Sequence, residues 1–424
     1  MNNEFGVNYF GFFNEISGIA QATRSNFEAL QLNNIKVNPY CYKYEHKIVV
    51  DNSNPKYNPT NANYNINIFH INIDKISSFL SEFTTESLKD KYNIAYWAWE
   101  FPEIPDEALK ILSLFDELWV PTNFCTEIFA LHSNVPVIKI PHPVEAFSIN
   151  NLFDKNDYGI DTDAFIYLTM FDSDSTFERK NPLDTIKAFK NSFNENDLNC
   201  FLIIKTHNFN KNLHIKDIIY KEIGNHKNII VIDEKMSYDK LHSLIQQCNV
   251  LLSLHAAEGF GLTIAEAMSY GKIAIATGYS GNLDFMNVNN SMLLKYKITE
   301  IQNEHGIIKK GFKIAKPCLN NAIENIKYVY SNYDKLELGD NARVYIENEL
   351  NKNIIGSKIS DRLNIINQNF IKKNDQNKSQ DLIIHDYEIK IQKLNLRIKY
   401  LEKSLYNKIR KGINNIFKKL KKRG

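Results

Sequence analysis

Short apolar, β-branched runs recur along most of this chain, each followed by a stretch whose apolar positions are spaced three and four apart. Alternation of that kind predicts βα units around parallel sheets. The runs at 6–12, 66–71, 94–97, 117–120 and 137–140 predict one sheet, and those at 165–170, 200–205, 229–232, 250–254 and 273–276 a second. Between them lies PHPVEAFSINNLFDKNDYGID, where Pro141 and Pro143 each remove a backbone donor, so the connection between the sheets is expected at 141–156. The pattern divides the chain into an N-terminal α/β domain (1–145), a second α/β domain (155–335), terminal helices expected to pack back on the first domain (336–370), and a last segment (371–424).

That last segment has a different period. Ile384, Tyr387, Ile391, Leu394, Ile398, Leu401 and Leu405 step alternately by three and four, the heptad seam of a coiled coil, after a polar linker KKNDQNKSQD. Self-association through this seam is expected. Ile409, Ile413, Ile416, Phe417 and Leu420 continue an apolar face whose opposite side is cationic, a composition suited to a helix lying on anionic lipid.

Charge sharpens this division. Residues 408–424 carry eight Lys or Arg and no Asp or Glu, leaving 43 basic against 49 acidic residues elsewhere, a net of −6 within a chain whose total is +2. All the excess positive charge therefore sits in the tail, without the aromatic interleaving of a nucleic-acid surface, and no nucleic-acid partner is expected. The five cysteines (Cys41, Cys125, Cys200, Cys248, Cys318) are scattered without CxxC spacing and read as buried free thiols in a reducing compartment. Neither a signal peptide nor an apolar run of membrane-spanning length is evident, so a cytoplasmic chain, peripheral at the inner face of the membrane through its tail, is expected.

The chemistry concentrates in NVLLSLHAAEGFGLTIAEAMSYGKIAIAT. It reads as a strand (250–254), a loop (255–261), a helix (262–270), a capping Gly271 and a strand. Gly259 and Gly261 bracket Phe260 where the helix begins, so backbone N–H groups there can reach an anion unobstructed. Glu258 ends the loop and Glu266 stands in the second turn. Two carboxylates around an anion site are electrostatically odd unless they accept from hydroxyls rather than pair with cations, and a sugar nucleotide supplies both hydroxyls and phosphates.

E-G-F-G-L-T-I-A-E-A-M (258–268) resembles the E-x7-E motif of retaining glycosyltransferases of the GT-B fold, in particular family 4, the glycosyl transferases group 1. The resemblance implies an α/β chain with two Rossmann-like parallel-sheet domains facing a cleft. The N-terminal domain would lie on the acceptor side and the C-terminal domain would hold the nucleotide-sugar donor. Glu258 would contact the donor sugar and Glu266 the ribose, with Gly259, Phe260, Gly261, Leu262 and Thr263 around the phosphates. The family's pair of leaving-group cations maps onto FDSDSTFERKNPLDTIKAFK: Lys180 matches its Lys, and Arg179 stands for an Arg that commonly lies earlier. Fixed cations there stabilise the charge on a departing diphosphate, so Arg179, Lys180 and Glu258 are the expected catalytic residues.

Lys205, at the end of FLIIKT, and Gly281 and Asn282 in TGYSGNLDFM, followed by Asp284, join the donor side. On the acceptor and phosphate side stand Gly18, opening the helix after the first strand, His70 and Glu100 at strand ends, and His142 at the junction, even between hinge packing and substrate contact. Trp97 reads as core and Trp99 as a ring able to stack on a sugar. The first loop lacks G-x-G-x-x-G, which disfavours a dinucleotide cofactor. Asp172 and Asp174 form a D-x-D, the metal motif of the other glycosyltransferase fold, GT-A, but lie mid-chain beside cations. No cofactor and no metal are therefore expected. The activity implied is metal-independent transfer of a hexose-type sugar, with retention, from a nucleotide diphosphate to a glycan or lipid-linked acceptor, as in bacterial surface polysaccharide (O-antigen, capsule or lipopolysaccharide) synthesis. The alternatives are a GT-B sugar-nucleotide epimerase and a non-catalytic sugar-nucleotide-binding membrane scaffold.

Overall fold

The structure, a computed structural model, describes residues 5–43, 47–49, 55–82, 88–149, 152–375, 392–395, 397–399 and 401. All ten predicted strands form, with ends within two residues of expectation. Five further strands join them.

The first sheet runs β3-β2-β1-β4-β5-β6-β7, from β1 (Gly6–Gly11), β2 (Lys36–Lys43), β3 (Lys47–Val49), β4 (Ile66–His70), β5 (Tyr92–Tyr96), β6 (Glu117–Val120) and β7 (Val137–Lys139). It is parallel except for β3, which closes one edge antiparallel to β2. β2 carries Pro39 beside Tyr9 of β1, a residue that lowers strand expectation because it cannot donate to a ladder.

The second sheet is wholly parallel, in the order β10-β9-β8-β11-β12-β13: β8 (Phe165–Met170), β9 (Cys200–Thr206), β10 (Ile229–Asp233), β11 (Val250–Ser253), β12 (Ile273–Thr277) and β13 (Met292–Leu294). Both orders reverse beside the first strand of their sheet. Crevices therefore open at the C-terminal ends of β1 and β4 in one domain and of β8 and β11 in the other, the places where doubly wound sheets take ligands.

A hairpin of β14 (Tyr296–Glu300) and β15 (Lys313–Pro317) follows the second sheet. Its strands alternate too many exposed polar residues to read as core, yet Ile301, Ile308 and Ile314 are buried in the cluster built from the first domain's Trp97, Trp99 and Phe101. The helix Lys352–Asp375 returns to the first domain, beside Gly18–Leu32. Gly356 permits the approach, since a Cβ there would stand 2.3 Å from Ala29 O. Arg362 binds the wholly buried Glu117, which also accepts from Trp119 Nε1 at 2.6 Å. This helix continues into 371–375, the start of the stretch read as linker.

Cys41, Cys125, Cys200 and Cys248 are free and buried as expected; Cys318 is free but exposed, because it caps the helix Leu319–Asn332 from a surface turn. Among the described residues, no helix is long and apolar enough to cross a membrane. The heptad positions Ile384, Tyr387, Ile391 and Leu405, and the basic tail 408–424, lie outside the described residues.

Candidate active site

The loop between β11 and the helix Leu262–Ser269 lies at the second domain's crevice and meets the first domain directly. Gly261 takes φ +93° at the helix N-cap, a left-handed conformation that glycine adopts without strain. Gly281 packs beneath the loop: its N–H donates to Glu258 O at 2.8 Å, and a Cβ in its place would stand 2.3 Å from Gly259 O. Glu258 N–H donates to Ser280 Oγ at 2.8 Å. Across the cleft, Thr122 Oγ donates to Gly259 O at 2.9 Å, and Asp284 accepts from Asn123 N at 3.0 Å while facing Lys139 Nζ at 3.1 Å. The loop is thus fixed from both domains before any ligand is considered.

Four charged side chains converge on it. Lys180 Nζ lies 2.5 Å from Glu258 Oε1, and Arg179 Nη1 lies 3.3 Å from Glu258 Oε2 and 3.2 Å from Ala257 O. Arg179 Nη2 reaches Ser175 Oγ at 3.0 Å and Glu100 of the first domain at 3.5 Å. Both cations hang from one short helix, Phe177–Lys180, which ends at Asn181 (φ +47°) as Pro182 begins the next. Burial pushes the Glu258 carboxyl up, but Lys180 and Arg179 outweigh it and hold the group at about 2. Glu258 thus pairs with cations, against the expectation from the sequence, because the short helix Phe177–Lys180 sets both cations beside it; the carboxylate so held is ionised at any physiological pH.

Glu266 is buried, with Oε1 3.5 Å from His242 Nε2. It lines a cavity of about 400 Å³ whose other walls come from Gln21, Arg24 and Glu28 of the first domain, Phe147 of the connection, Tyr238 and Lys352. Gln21 Nε2 donates to Tyr238 Oη at 2.8 Å across this gap. Arg24 donates to Phe13 O at 2.8 Å and Glu15 O at 3.0 Å, so it fixes the loop after β1 whose end is Gly18. Nothing lies within 4 Å of a Cβ built on Gly18, which therefore faces open space. Leu262 lines the cavity and Thr263 is half-buried at the same helix end.

Other expected site residues turn inward. Phe260 is buried against Phe285, with ring centroids 5.2 Å apart, and against His142 at 5.0 Å. Asn282 is wholly buried, donating to Thr277 O at 3.0 Å and lying 3.1 Å from His255 Nε2. These two shape the loop from below. Lys205 is buried with its ammonium on Thr206 O (2.9 Å) and Glu234 O (2.7 Å), and burial draws it down to about 8.

His70 and His142 are also buried, in a polar stack under the cleft. Tyr9 Oη lies 2.8 Å from His70 Nδ1, and the His70 ring stacks on Tyr96 at 4.2 Å. Tyr96 Oη donates to Ile140 O at 2.7 Å and lies 3.0 Å from His142 Nδ1. Burial lowers both histidines, His142 to about 3, so each is neutral. His142 packs against Tyr96 and Phe260 at the junction of the two domains, and both histidine rings are buried. Trp97 and Trp99 are core residues; Trp99 Nε1 donates to Glu103 O at 2.7 Å. Asp172 accepts from Asn208 at 2.9 Å and lies 3.1 Å from His207, and among the described residues no group of three or more His, Cys, Asp or Glu converges as a metal set.

Two doubly wound sheets with facing switch points, joined at a glycine-bracketed helix start and a cluster of cations, define the GT-B fold. Residues 154–300 match the family model described as glycosyl transferases group 1, and the resemblance of the chain to GT-B glycosyltransferases stands. Three solved structures share the fold: sucrose-phosphate synthase from Thermosynechococcus elongatus (12% identity, TM-score 0.63, covering 87% of this chain and 100% of that one), a glycosyltransferase from Rickettsia africae (13%, 0.61, 88% and 100%) and HepE from Anabaena, solved with UDP and glucose (12%, 0.57, 85% and 100%). No curated protein matches the chain.

Proposed function

We propose that this chain is a metal-independent retaining glycosyltransferase that moves a hexose-type sugar from a nucleotide diphosphate to a glycan or lipid-linked acceptor. The observation that carries the reading is the pairing of Glu258 with Arg179 and Lys180 at the glycine-fixed helix start, 2.5 to 3.3 Å apart. In the reaction the acceptor oxygen bonds to the anomeric carbon on the face from which the diphosphate departs. The C1–O bond breaks with its electron pair passing to the β-phosphate oxygen, which also receives the acceptor's proton. Lys180, Arg179 and the amides of the helix Leu262–Ser269 stabilise that charge. Glu258 accepts from sugar hydroxyls, and Glu266, in the cavity it shares with Tyr238, accepts from the ribose. The match of residues 154–300 to the group 1 model supports the glycosyltransferase reading. The basic tail supports attachment to the inner face of the cytoplasmic membrane, which suits a lipid-linked acceptor in surface polysaccharide synthesis.

A thermal-shift screen of UDP-, GDP- and ADP-sugars identifies the donor, and Glu266→Ala should weaken it by about tenfold or more, the worth of a lost hydrogen bond to a charged group. Release of nucleoside diphosphate that requires an acceptor is the expected outcome. Interconversion of the sugar without an acceptor would make the chain an epimerase, and tight binding with no release a scaffold.

A further inference from the structure

The terminal nitrogens of Arg179 make three hydrogen bonds, Nη1 to Ala257 O and Glu258 and Nη2 to Ser175 Oγ, and Nη2 also pairs by charge with Glu100. A diphosphate oxygen that reaches Nη2 meets Glu100 there, the one of these four partners held by charge and not by a hydrogen bond. Three of the four belong to the second domain and sit 3.0 to 3.3 Å away. Glu100 is the fourth, supplied by the first domain from the loop after β5 at 3.5 Å, with a fifth of its side chain exposed. Glu258 is held by Lys180 as well and by backbone bonds to Ser280 and Gly281, so Glu100 is the partner most readily given up.

Charge leads to the same residue. Two carboxylates balance two cations, and a diphosphate adds about two negative charges to a buried site where uncompensated charge is costly. We propose that Glu100 competes with the donor's diphosphate for Arg179, yielding when the donor enters and re-engaging after transfer so that the nucleoside diphosphate leaves. The backbone of its loop is fixed: Ala98 N–H donates to Asn72 Oδ1 at 2.8 Å, and Trp99 and Phe101 on either side are buried. Rotation of the Glu100 side chain therefore suffices. Burial also raises its carboxyl from the usual range, which eases release from Arg179 by protonation as an alternative to rotation.

The inference rests on the glycosyltransferase reading, and calorimetry on the full-length protein separates the two. UDP, GDP and ADP are titrated with their monophosphates. Glu100→Gln should bind the accepted diphosphate about tenfold tighter and the monophosphate unchanged, and in turnover it should show stronger product inhibition with a lower kcat. A role confined to holding the loop predicts weaker binding instead, so affinity equal to or below wild type overturns the proposal. If Glu100→Gln does not fold, Glu100→Asp, which withdraws the carboxylate by one methylene, carries the same test with a smaller gain. Wild-type protein that binds none of the three diphosphates overturns the transferase reading and this proposal together.

Discussion

Lys180 and Arg179 both neutralise Glu258, but their geometry gives them different work. Arg179 is buried, with its terminal nitrogens occupied, whereas Lys180 keeps 21% of its side chain exposed and shows a flexible ammonium to the cleft. Lys180→Ala should therefore lower kcat by about 10²–10³, the range for a lost charge stabiliser, while donor affinity changes far less. An affinity loss as large as the kcat loss would move Lys180 to ground-state binding. Arg179→Ala should instead destabilise the fold, because it leaves Glu100 and Glu258 with one cation between them. The buried histidines make a separate prediction. His142 titrates near 3 when folded and near 6.5 when unfolded, so between those values the unfolded chain binds the extra proton and stability falls as pH drops. A melting series from pH 7.5 to 5 should show that fall, and His142→Gln should lessen its slope by up to about 1.4 kcal/mol per pH unit below pH 6.5. An unchanged slope would mean that His142 carries its proton in the fold.

At the scale of elements, three glycines separate packing from chemistry. Gly281→Ala forces a Cβ to 2.3 Å of Gly259 O beneath the catalytic loop, and Gly356→Ala forces one to 2.3 Å of Ala29 O between two helices. Both should cost about 1–3 kcal/mol in a chemical melt, but only Gly281→Ala should also impair donor binding. Gly18→Ala meets no atom within 4 Å, so it should melt like wild type, and any loss of activity would report a ligand at that helix start. Periodicity and local punctuation made both sheets and the 258–271 loop and helix legible, because each is decided within about twenty residues by spacing and by glycine. Direction and distance were not legible. The letters around 258–268 are the same whether Phe260 faces donor or core, and its place against His142 follows from how two domains meet. β2 was hidden by Pro39, and the hairpin Tyr296–Pro317 by its polar outer face, although it brings Lys313 N–H to 3.0 Å from Glu103 in the loop that presents Glu100. The Glu100–Arg179 pair spans the cleft, so no local pattern could have announced it.

For the whole molecule, the last described turns decide what the heptad seam is available to do. Gln392 Nε2 donates to Val137 O at 3.0 Å and Lys399 Nζ lies 3.6 Å from Glu127, so positions seven apart tie this stretch to the first domain. The seam residues Leu394, Ile398 and Leu401 stand on another face, 58%, 49% and 62% exposed. Gln392 and Lys399 each follow a first seam position of the heptad by one residue, which places them roughly 130° around the helix from the seam's centre. The helix can thus be fastened to its own body and still offer the seam to a second copy, so dimerisation need not disturb the cleft. Light scattering should find the full chain dimeric and a chain ending at Asp375 monomeric, with Ile398→Asn shifting the full chain toward monomer while donor binding stays intact. Pairing would also bring two basic tails to one assembly, sixteen Lys or Arg in all, counting the eight at 408–424 of each copy. With each cation near an anionic surface worth about 1 kcal/mol, co-sedimentation with anionic vesicles should be strong for the full chain, weaker for Ile398→Asn and lost for the chain ending at Asp375. Equal sedimentation of all three would place membrane contact elsewhere in the molecule.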